Sequence, residues 1–350
     1  SEGNPPWWVN NKNAKATDDV GGFTQRALMF SPGPENFPYD TGGVMRGKKG
    51  EKPKLVYEYS MEKYNTYDSE VADHVIDFIK RRAKTDKPFF VNFWGKANHF
   101  WGAHPDFRDT PAQTNTSSQM VEHDYNTGRI LKTLKDLGIA ENTLVIWSSD
   151  NGPMYTVHPH GGYSLLPGSK GETREGGIHV PSLAWWPGMI EPDQDPLDIV
   201  QITDWFTTII SLVGATDRIP ADRVIDGVDQ SGLLLLGEGK GRRDYVFHYN
   251  RTNLEAVRKD QIKLNLKPSN PGVHFYEVYN LYHDPAERFP NEAQNGIWAG
   301  PGITKMIQEH MLLIKKYPHR TPAQSYYRDF DRSFDPEPSP VYKPKKQVNW

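Results

Sequence analysis

Several short stretches of this chain combine residue types that could hold an ion or move a proton. Leu144-Val145-Ile146-Trp147 runs directly into Ser148-Ser149-Asp150-Asn151-Gly152. A carboxylate beside a carboxamide offers two or three hard oxygen donors, and Gly152 permits the sharp turn that aims them. That is half a site for Ca²⁺, which takes roughly six to eight oxygens, or for Mg²⁺, which takes about six. The same dipeptide also closes ordinary βα connections as an Asx turn, so by itself it decides nothing. Phe89 to Trp94 leads into Lys96-Ala97-Asn98-His99, where a lysine and a histidine at a strand end could orient an anion or shuttle a proton. A hydrogen-bonded structural histidine is the plainer account of that position. Lys170-Gly171-Glu172-Thr173-Arg174-Glu175-Gly176-Gly177 is a glycine-punctuated loop whose lysine could meet an anion as a point charge. Trp94, Phe100, Trp101 and His104 would line a pocket beside His99, or equally fill a core. His158-Pro159-His160 lacks a third ligand and reads as surface.

The elements that would carry these groups are legible from periodicity. Val71, Val75, Phe78 and Ile79 fall at helical spacing behind Asp68-Ser69, which the pattern casts as an N-cap. Pro88 to Trp94 reads as a buried strand. A second helix is expected over 120–137, with Val121, Tyr125, Leu131 and Leu134 on one face and Gly138 as its stop. Leu144 to Trp147, an unbroken apolar run, suits a parallel strand covered on both faces. Val180 to Trp186 is a further strand, and Thr203-Asp204 opens a helix with Trp205, Ile209 and Leu212 inward and Gly214 at its end. Helix and strand alternate, which predicts a doubly wound α/β sheet with ligands beyond the carboxyl ends of its strands. After residue 236 the texture changes. Tyr245–Tyr249, Leu254–Arg258, Ile262–Leu266 and Phe275–Leu281 predict a small antiparallel sheet, followed by a helix near 303–316. The organisation expected is residues 1–235 as the α/β portion, 236–317 as a smaller α+β subdomain, and 318–350 as an extended Pro-rich tail.

Composition narrows the function. The 350 residues carry 41 Lys plus Arg against 44 Asp plus Glu, a net charge of −3, which argues against nucleic-acid binding as the main activity. The basic stretches at 46–54 and 343–346 are irregular and not regularly interleaved with aromatics. No run approaches the ~20 apolar residues of a membrane span. There is no cysteine, which removes disulfides, thiolate metal sites and a cysteine nucleophile together. The first residue is Ser1, which suggests a processed or truncated end. Asn115-Thr116-Ser117 and Asn250-Arg251-Thr252 are formal glycosylation triplets, of use only in a eukaryotic secretory setting.

Together the motifs say more than they do singly. Asn142 through Gly152 closely resembles the S-D-N-G strand end of the sulfatase family, in the alkaline phosphatase-like superfamily. Lys170-Gly171 to Glu175-Gly176-Gly177, then Val180-Pro181 and Trp186-Pro187-Gly188, resembles its K-G-x-x-x-E-G-G…V-P…W-P-G segment. Asp226-Gly227-Val228 and Tyr279-Asn280-Leu281-Tyr282-His283-Asp284-Pro285-Ala286-Glu287 are similar to its D-G-V and Y-D-L-x-x-D-P-x-E signatures. His99 keeps the family's P-H pair while Asn98 departs from it. The resemblance covers about residues 70–290 and implies an alkaline phosphatase/sulfatase-like doubly wound mixed sheet with a smaller C-terminal antiparallel sheet. It implies hydrolysis of sulfate monoesters, with Asp150 and Asn151 as ligands of Ca²⁺ (Mg²⁺ being possible) and Lys170 on the sulfate. His99 would stand on the leaving-group side, with Lys96, Trp101 and His104 toward the substrate.

The family's nucleophile is a formylglycine made from Cys or Ser in a C/S-x-P-x-R motif. Ser269-Asn270-Pro271-Gly272-Val273 has the proline but Val273 where Arg belongs, and Ser31-Pro32-Gly33 fails at the proline. The expectation is therefore a chain contributing half of a sulfate-ester site, inactive alone, with an N-terminal sulfatase chain or segment as the partner that supplies the nucleophile and completes the sheet. The alternatives are a non-catalytic structural or binding protein derived from a sulfatase, and a phosphoryl-ester hydrolase of the same superfold. Against the last, dizinc phosphodiesterase relatives carry Asp-His where Asp150-Asn151 stands. The resemblance also implies export, to a periplasm, a lysosome or the medium.

Overall fold

The computed structural model describes residues 43–47, 54–58, 61–97, 103–108, 115–155, 162–250, 252–266, 276–290 and 292–318. The chain forms two compact units, residues 1–65 with 319–350, and residues 66–318. In the first, β1 (Gly43–Arg46) and β2 (Lys54–Glu58) make an antiparallel hairpin with a bulge between Val44 and Met45. The Pro-rich tail and most of the basic stretch at 46–54 lie outside the described residues.

The second unit opens within helix α1 (Met61–Arg82), from Thr66 onward, and α2 (Asn115–Asp136) packs on that part of it. Val75 and Ile79 of α1 meet Leu134 of α2 and Ala140, and Ile79 and Leu134 are each at most 2% exposed. Burying each of these two contributes about 1.5–3 kcal/mol. Helix α2 ends as its sequence predicts: Gly138 takes φ +68°, and the Gly138 and Ile139 amides return to Lys135 and Leu134.

The other half of this seam differs from the periodicity reading. Asp68 and Ser69 are not a cap; α1 begins seven residues before Asp68, at Met61. The buried face of α2 toward its start is polar, with Ser118, Gln119, Glu122 and Asn126 buried while Tyr125 is 54% exposed. Ser69 donates to Glu122 (2.8 Å) and Asn126 donates to Ser69 (3.3 Å). Apolar periodicity cannot find a face that satisfies its buried groups by hydrogen bonding.

Residues 88–94 form neither a helix nor a ladder with another described strand, though burial alternates along them. Phe89, Val91 and Phe93 pack on the α1/α2 core, whereas Phe90 and Trp94 point outward, 71% and 78% exposed. The two-residue alternation of an extended chain is present, but among the described residues only one face is packed, where the sequence predicts a buried strand. Strand β3 (Val145–Ser148) pairs antiparallel, not parallel, with β4 (Ser182–Trp185), Val145 opposite Trp185 and Ser148 opposite Ser182. Between them lies the short helix α3 (Glu175–Ile178).

Helix α4 (Asp204–Leu212) also inverts an expectation. Its fully buried residues are Asp204 and Thr208; Trp205, Ile209 and Leu212 are only half-buried. Asp204 accepts the Gln201 and Val228 amides (2.9 and 2.8 Å) and the Arg243 guanidinium (Nε to Oδ2, 2.8 Å). Arg243 also donates to the Asp226 carbonyl, so this pair ties the Asp226-Gly227-Val228 turn to α4. Helix α5 (Ser231–Leu236) follows.

The C-terminal sheet is as its short apolar runs predict. Strands β5 (Tyr245–Asn250), β6 (Asn253–Lys259), β7 (Ile262–Asn265) and β8 (Glu277–Asn280) lie antiparallel in sequence order. Helix α6 (Glu292–Lys316) covers them through Ile303, which packs with Val257, Leu264 and Val278.

Candidate functional site

The turn after β3 and the lysine-bearing loop before α3 are laid against each other by backbone hydrogen bonds. Gly152 N–H donates to the Gly177 carbonyl (3.0 Å), Lys170 N–H to the Pro153 carbonyl (2.9 Å), and Gly176 N–H to the Pro167 carbonyl (2.6 Å). The approach is so close that a Cβ at Gly152 would lie 1.8 Å from the Gly176 oxygen. Only glycine fits there, which is the physical content of the glycine after Asp150-Asn151. Asp150, Asn151 and Lys170 are thereby carried on two loops in direct contact. The side chains of Asp150 and Lys170 are exposed and make no hydrogen bond or ion pair with the described residues. One carboxylate and one ammonium are thus available to ligands from outside, with the Asn151 carboxamide half-buried beside the carboxylate in sequence.

What holds the lysine loop is a buried charge cluster reaching it from the C-terminal sheet. Lys263 of β7 is fully buried and donates to the Thr173 carbonyl (2.7 Å) and to Glu175 (3.0 Å), with Glu287 also at 3.0 Å. Glu287 in turn accepts the Glu175 amide at 2.8 Å. Burial alone would push the Glu175 carboxyl up; hydrogen bonds and charge from His179 and Lys263 outweigh it and hold the group at about 2. His248 on β5 sits in the same surroundings. Burial, and then the Lys263 charge, push its imidazole down to about 3, so it is neutral at pH 7. Lys263 and His248 carry no motif signal, and Glu175 and Glu287 appear in motifs without an evident role. Their role follows from the contact between the loop and β7, which are 88 residues apart in sequence.

The remaining expected site residues fare differently. Lys96 turns back on α1: its amide donates to Asp68 (2.9 Å) and its ammonium is 3.9 Å from the other carboxylate oxygen. It is held by a buried partner, not presented to solvent. His104 caps a 3₁₀ turn at 105–107, accepting the Asp106 amide (3.2 Å), and stands edge-on to Phe107. His99 and Trp101 lie outside the described residues. A histidine that the sequence reading passed over, His123 of α2, is stacked on Phe93 and accepts the Trp147 indole N–H at 2.7 Å. Burial lowers its pKa, and a neutral ring with Nε2 as acceptor is what the indole requires. It binds α2 to β3 just before the Asp150 turn.

The donors at the turn suit a hard cation, since both offer oxygen and the carboxylate is free. They are two of the several oxygens that such an ion needs. Among the described residues no group of three or more His, Cys, Asp or Glu could complete the shell.

Comparison with known proteins places this chain in the alkaline phosphatase-like superfamily. The sulfatase family profile matches residues 4–215, and the chain belongs to the sulfatase family. It is 33% identical over 268 residues to N-acetylgalactosamine-6-sulfatase of Canis lupus familiaris, covering 67% of this chain and 50% of that protein. It is 36% identical over 201 residues to steryl-sulfatase of Rattus norvegicus, covering 55% of this chain and 34% of that one. Among solved structures, the PsFucS1 sulfatase from Pseudoalteromonas sp. superposes with a TM-score of 0.74 at 31% identity, over 86% of this chain and 62% of that chain. The chain spans about half the length, or less, of these curated relatives.

Proposed function

We propose that this chain supplies part of the active site of a sulfate-monoester hydrolase. The observation that carries the reading is the direct backbone contact of the Asp150-Asn151 turn with the Lys170 loop, on which Asp150 and Lys170 are exposed and Asn151 half-buried. Asp150 and Asn151 would hold Ca²⁺, or less readily Mg²⁺, which when bound supplies charge stabilisation to the ester oxygens. Lys170 would contact the sulfate and stabilise the departing oxygen as negative charge grows on it. His99 is assigned to the leaving-group side, with Trp101 and His104 lining the approach; Lys96, paired with Asp68, would orient the strand end more than touch substrate. The nucleophile, a formylglycine, would come from an N-terminal segment or partner chain, because no C/S-x-P-x-R stands in this sequence. The unladdered stretch 88–94, with Phe90 and Trp94 outward, is the surface that such a segment would cover, completing a doubly wound sheet. Export is the matching location. The missing nucleophile motif equally favours a second reading, a non-catalytic protein derived from a sulfatase.

Two measurements test this. Native mass spectrometry from the natural source should show a second polypeptide, or an extension, bearing the nucleophile motif, and that assembly should hydrolyse an aryl sulfate and stop with chelator. Calcium titration of the assembly should lose affinity at least about tenfold in Asp150→Ala. A lone, intact 350-residue chain that binds no calcium would leave the non-catalytic reading.

A further inference from the structure

Asn151-Gly152 is one of two Asn-Gly pairs in the chain, the other being Asn295-Gly296 within α6. Such a pair carries its own nucleophile: the glycine amide nitrogen can attack the asparagine side-chain carbon, and the missing Cβ leaves that approach open. At position 152 the glycine cannot be exchanged. A Cβ there would lie 1.8 Å from the Gly176 oxygen and 2.8 Å from the Gly176 carbonyl carbon. The close approach of the two loops therefore forces the most reactive asparagine context onto the residue beside Asp150. The same approach restrains the reaction. The Gly152 nitrogen, the attacking atom, donates its proton to the Gly177 carbonyl at 3.0 Å, and the Asn151 carbonyl of that peptide accepts the Ser149 hydroxyl at 3.1 Å. Attack requires the amide to leave this hydrogen bond and the peptide plane to turn toward the side chain. The Gly176-Gly177 segment is held in turn by Lys263, through the Thr173 carbonyl and Glu175, and by Glu287, which accepts the Glu175 amide.

We propose that Asn151 is a deamidation site kept closed by the contact of its turn with the Gly176-Gly177 segment. When the contact opens, the Gly152 nitrogen bonds to Cγ of Asn151 and the side-chain amide leaves as ammonia, taking the proton of the Gly152 nitrogen with it. Water then opens the cyclic imide at either carbonyl, giving aspartate or isoaspartate, with no change of oxidation state. Both products add a carboxylate charge next to Asp150. Isoaspartate also lengthens the main chain by one carbon, at a turn where even a Cβ on Gly152 has no room. The contact then cannot re-form, so that branch is one-way, whereas aspartate keeps the backbone and recloses. This chemistry follows from the backbone geometry of the turn and depends neither on calcium nor on the sulfate-ester reading.

The test incubates the full chain near neutral pH with chelator present, folded and in urea, and follows Asn151 and Asn295 by peptide-mapping mass spectrometry with isoaspartate quantified. Asn151 should convert in the unfolded chain and at least about tenfold more slowly in the folded one, the factor that one retained hydrogen bond supplies. Lys263→Met, which loosens the Gly176-Gly177 segment, should speed Asn151 at least about threefold more than Asn295, because local opening exposes one site and global unfolding exposes both. Should that variant not fold, hydrogen exchange of the Gly152 amide in the unaltered chain replaces it: exchange and deamidation should rise together in urea below the unfolding transition. The isoaspartate form should lose exchange protection at Gly152, and Asn151→Asp should keep it. No conversion in urea, a folded rate within about twofold of the unfolded one, or a folded Lys263→Met without a selective increase overturns the proposal. So does a deamidation rate that stays constant while Gly152 protection falls, or an isoaspartate form that keeps its protection.

Discussion

Replacing Lys263 by methionine probes the link between the C-terminal sheet and the lysine loop. The ammonium is fully buried and contacts three oxygens, on Thr173, Glu175 and Glu287, at 2.7, 3.0 and 3.0 Å. Methionine fills similar volume but leaves two buried carboxylates without their cation. Breaking a buried pair in this way costs about 3–5 kcal/mol, which in a unit of this size lowers the melting temperature by about 6–20 °C. The pH dependence gives a sharper signature. The Glu175 carboxyl is held at about 2 against an ordinary 4.5. A lowered carboxylate pKa contributes stability that is present above the unfolded value and lost as pH falls toward the folded one. Removing Lys263 removes much of that contribution, so the gap between the two proteins should be widest near neutrality and narrow below about pH 4.5. The triple variant Lys263→Met/Glu175→Gln/Glu287→Gln should recover at least half of the loss, since neutral replacements of a buried network are often tolerated. Thermal unfolding followed by circular dichroism at pH 7 and at about pH 3.5 reads all three. A neutral-pH loss below about 1 kcal/mol, or an equal loss at both pH values, would refute the reasoning.

Gly152→Ala should be among the most damaging single-methyl additions in the chain, because the new carbon meets the Gly176 carbonyl and backbone must move. A loss of about 2–4 kcal/mol and weakened calcium binding are expected, against little change for Gly171→Ala in calorimetry apart from strain at its positive φ. Arg243→Ala should cost about 3–5 kcal/mol by leaving Asp204 buried and unpaired, with Asp204→Asn in the same background restoring part of it in denaturant titrations. His248, held at about 3 against 6.5, binds its proton more readily unfolded than folded, so native stability should fall as pH drops from 6.5 toward 3. That slope is about 1.4 kcal/mol per pH unit, and His248→Gln should flatten it in melting curves between pH 6.5 and 4.5.

Much of this molecule could be read directly from its sequence. The four strands of the C-terminal sheet, the stop of α2 at Gly138, strands β3 and β4, and the Asp150-Asn151-Gly152 and Lys170 motifs all rest on local apolar pattern or turn chemistry. Local pattern has no access to what lies across a contact. Phe89 to Trp94 looks like a buried strand, yet among the described residues only its Phe89, Val91 and Phe93 face is packed. Asp68-Ser69 looks like a helix cap, yet its side chains run sideways to Lys96 and Glu122. Asp204 and Thr208 look like the solvent side of α4 and are its most buried positions, because Arg243 and the 226–230 segment satisfy them. The presence of a carboxylate, a carboxamide and a lysine was set by the sequence. That the two loops bearing them touch was decided by backbone hydrogen bonds between those loops and by Lys263, contacts whose energy depends on burial and distance and leaves no periodic trace.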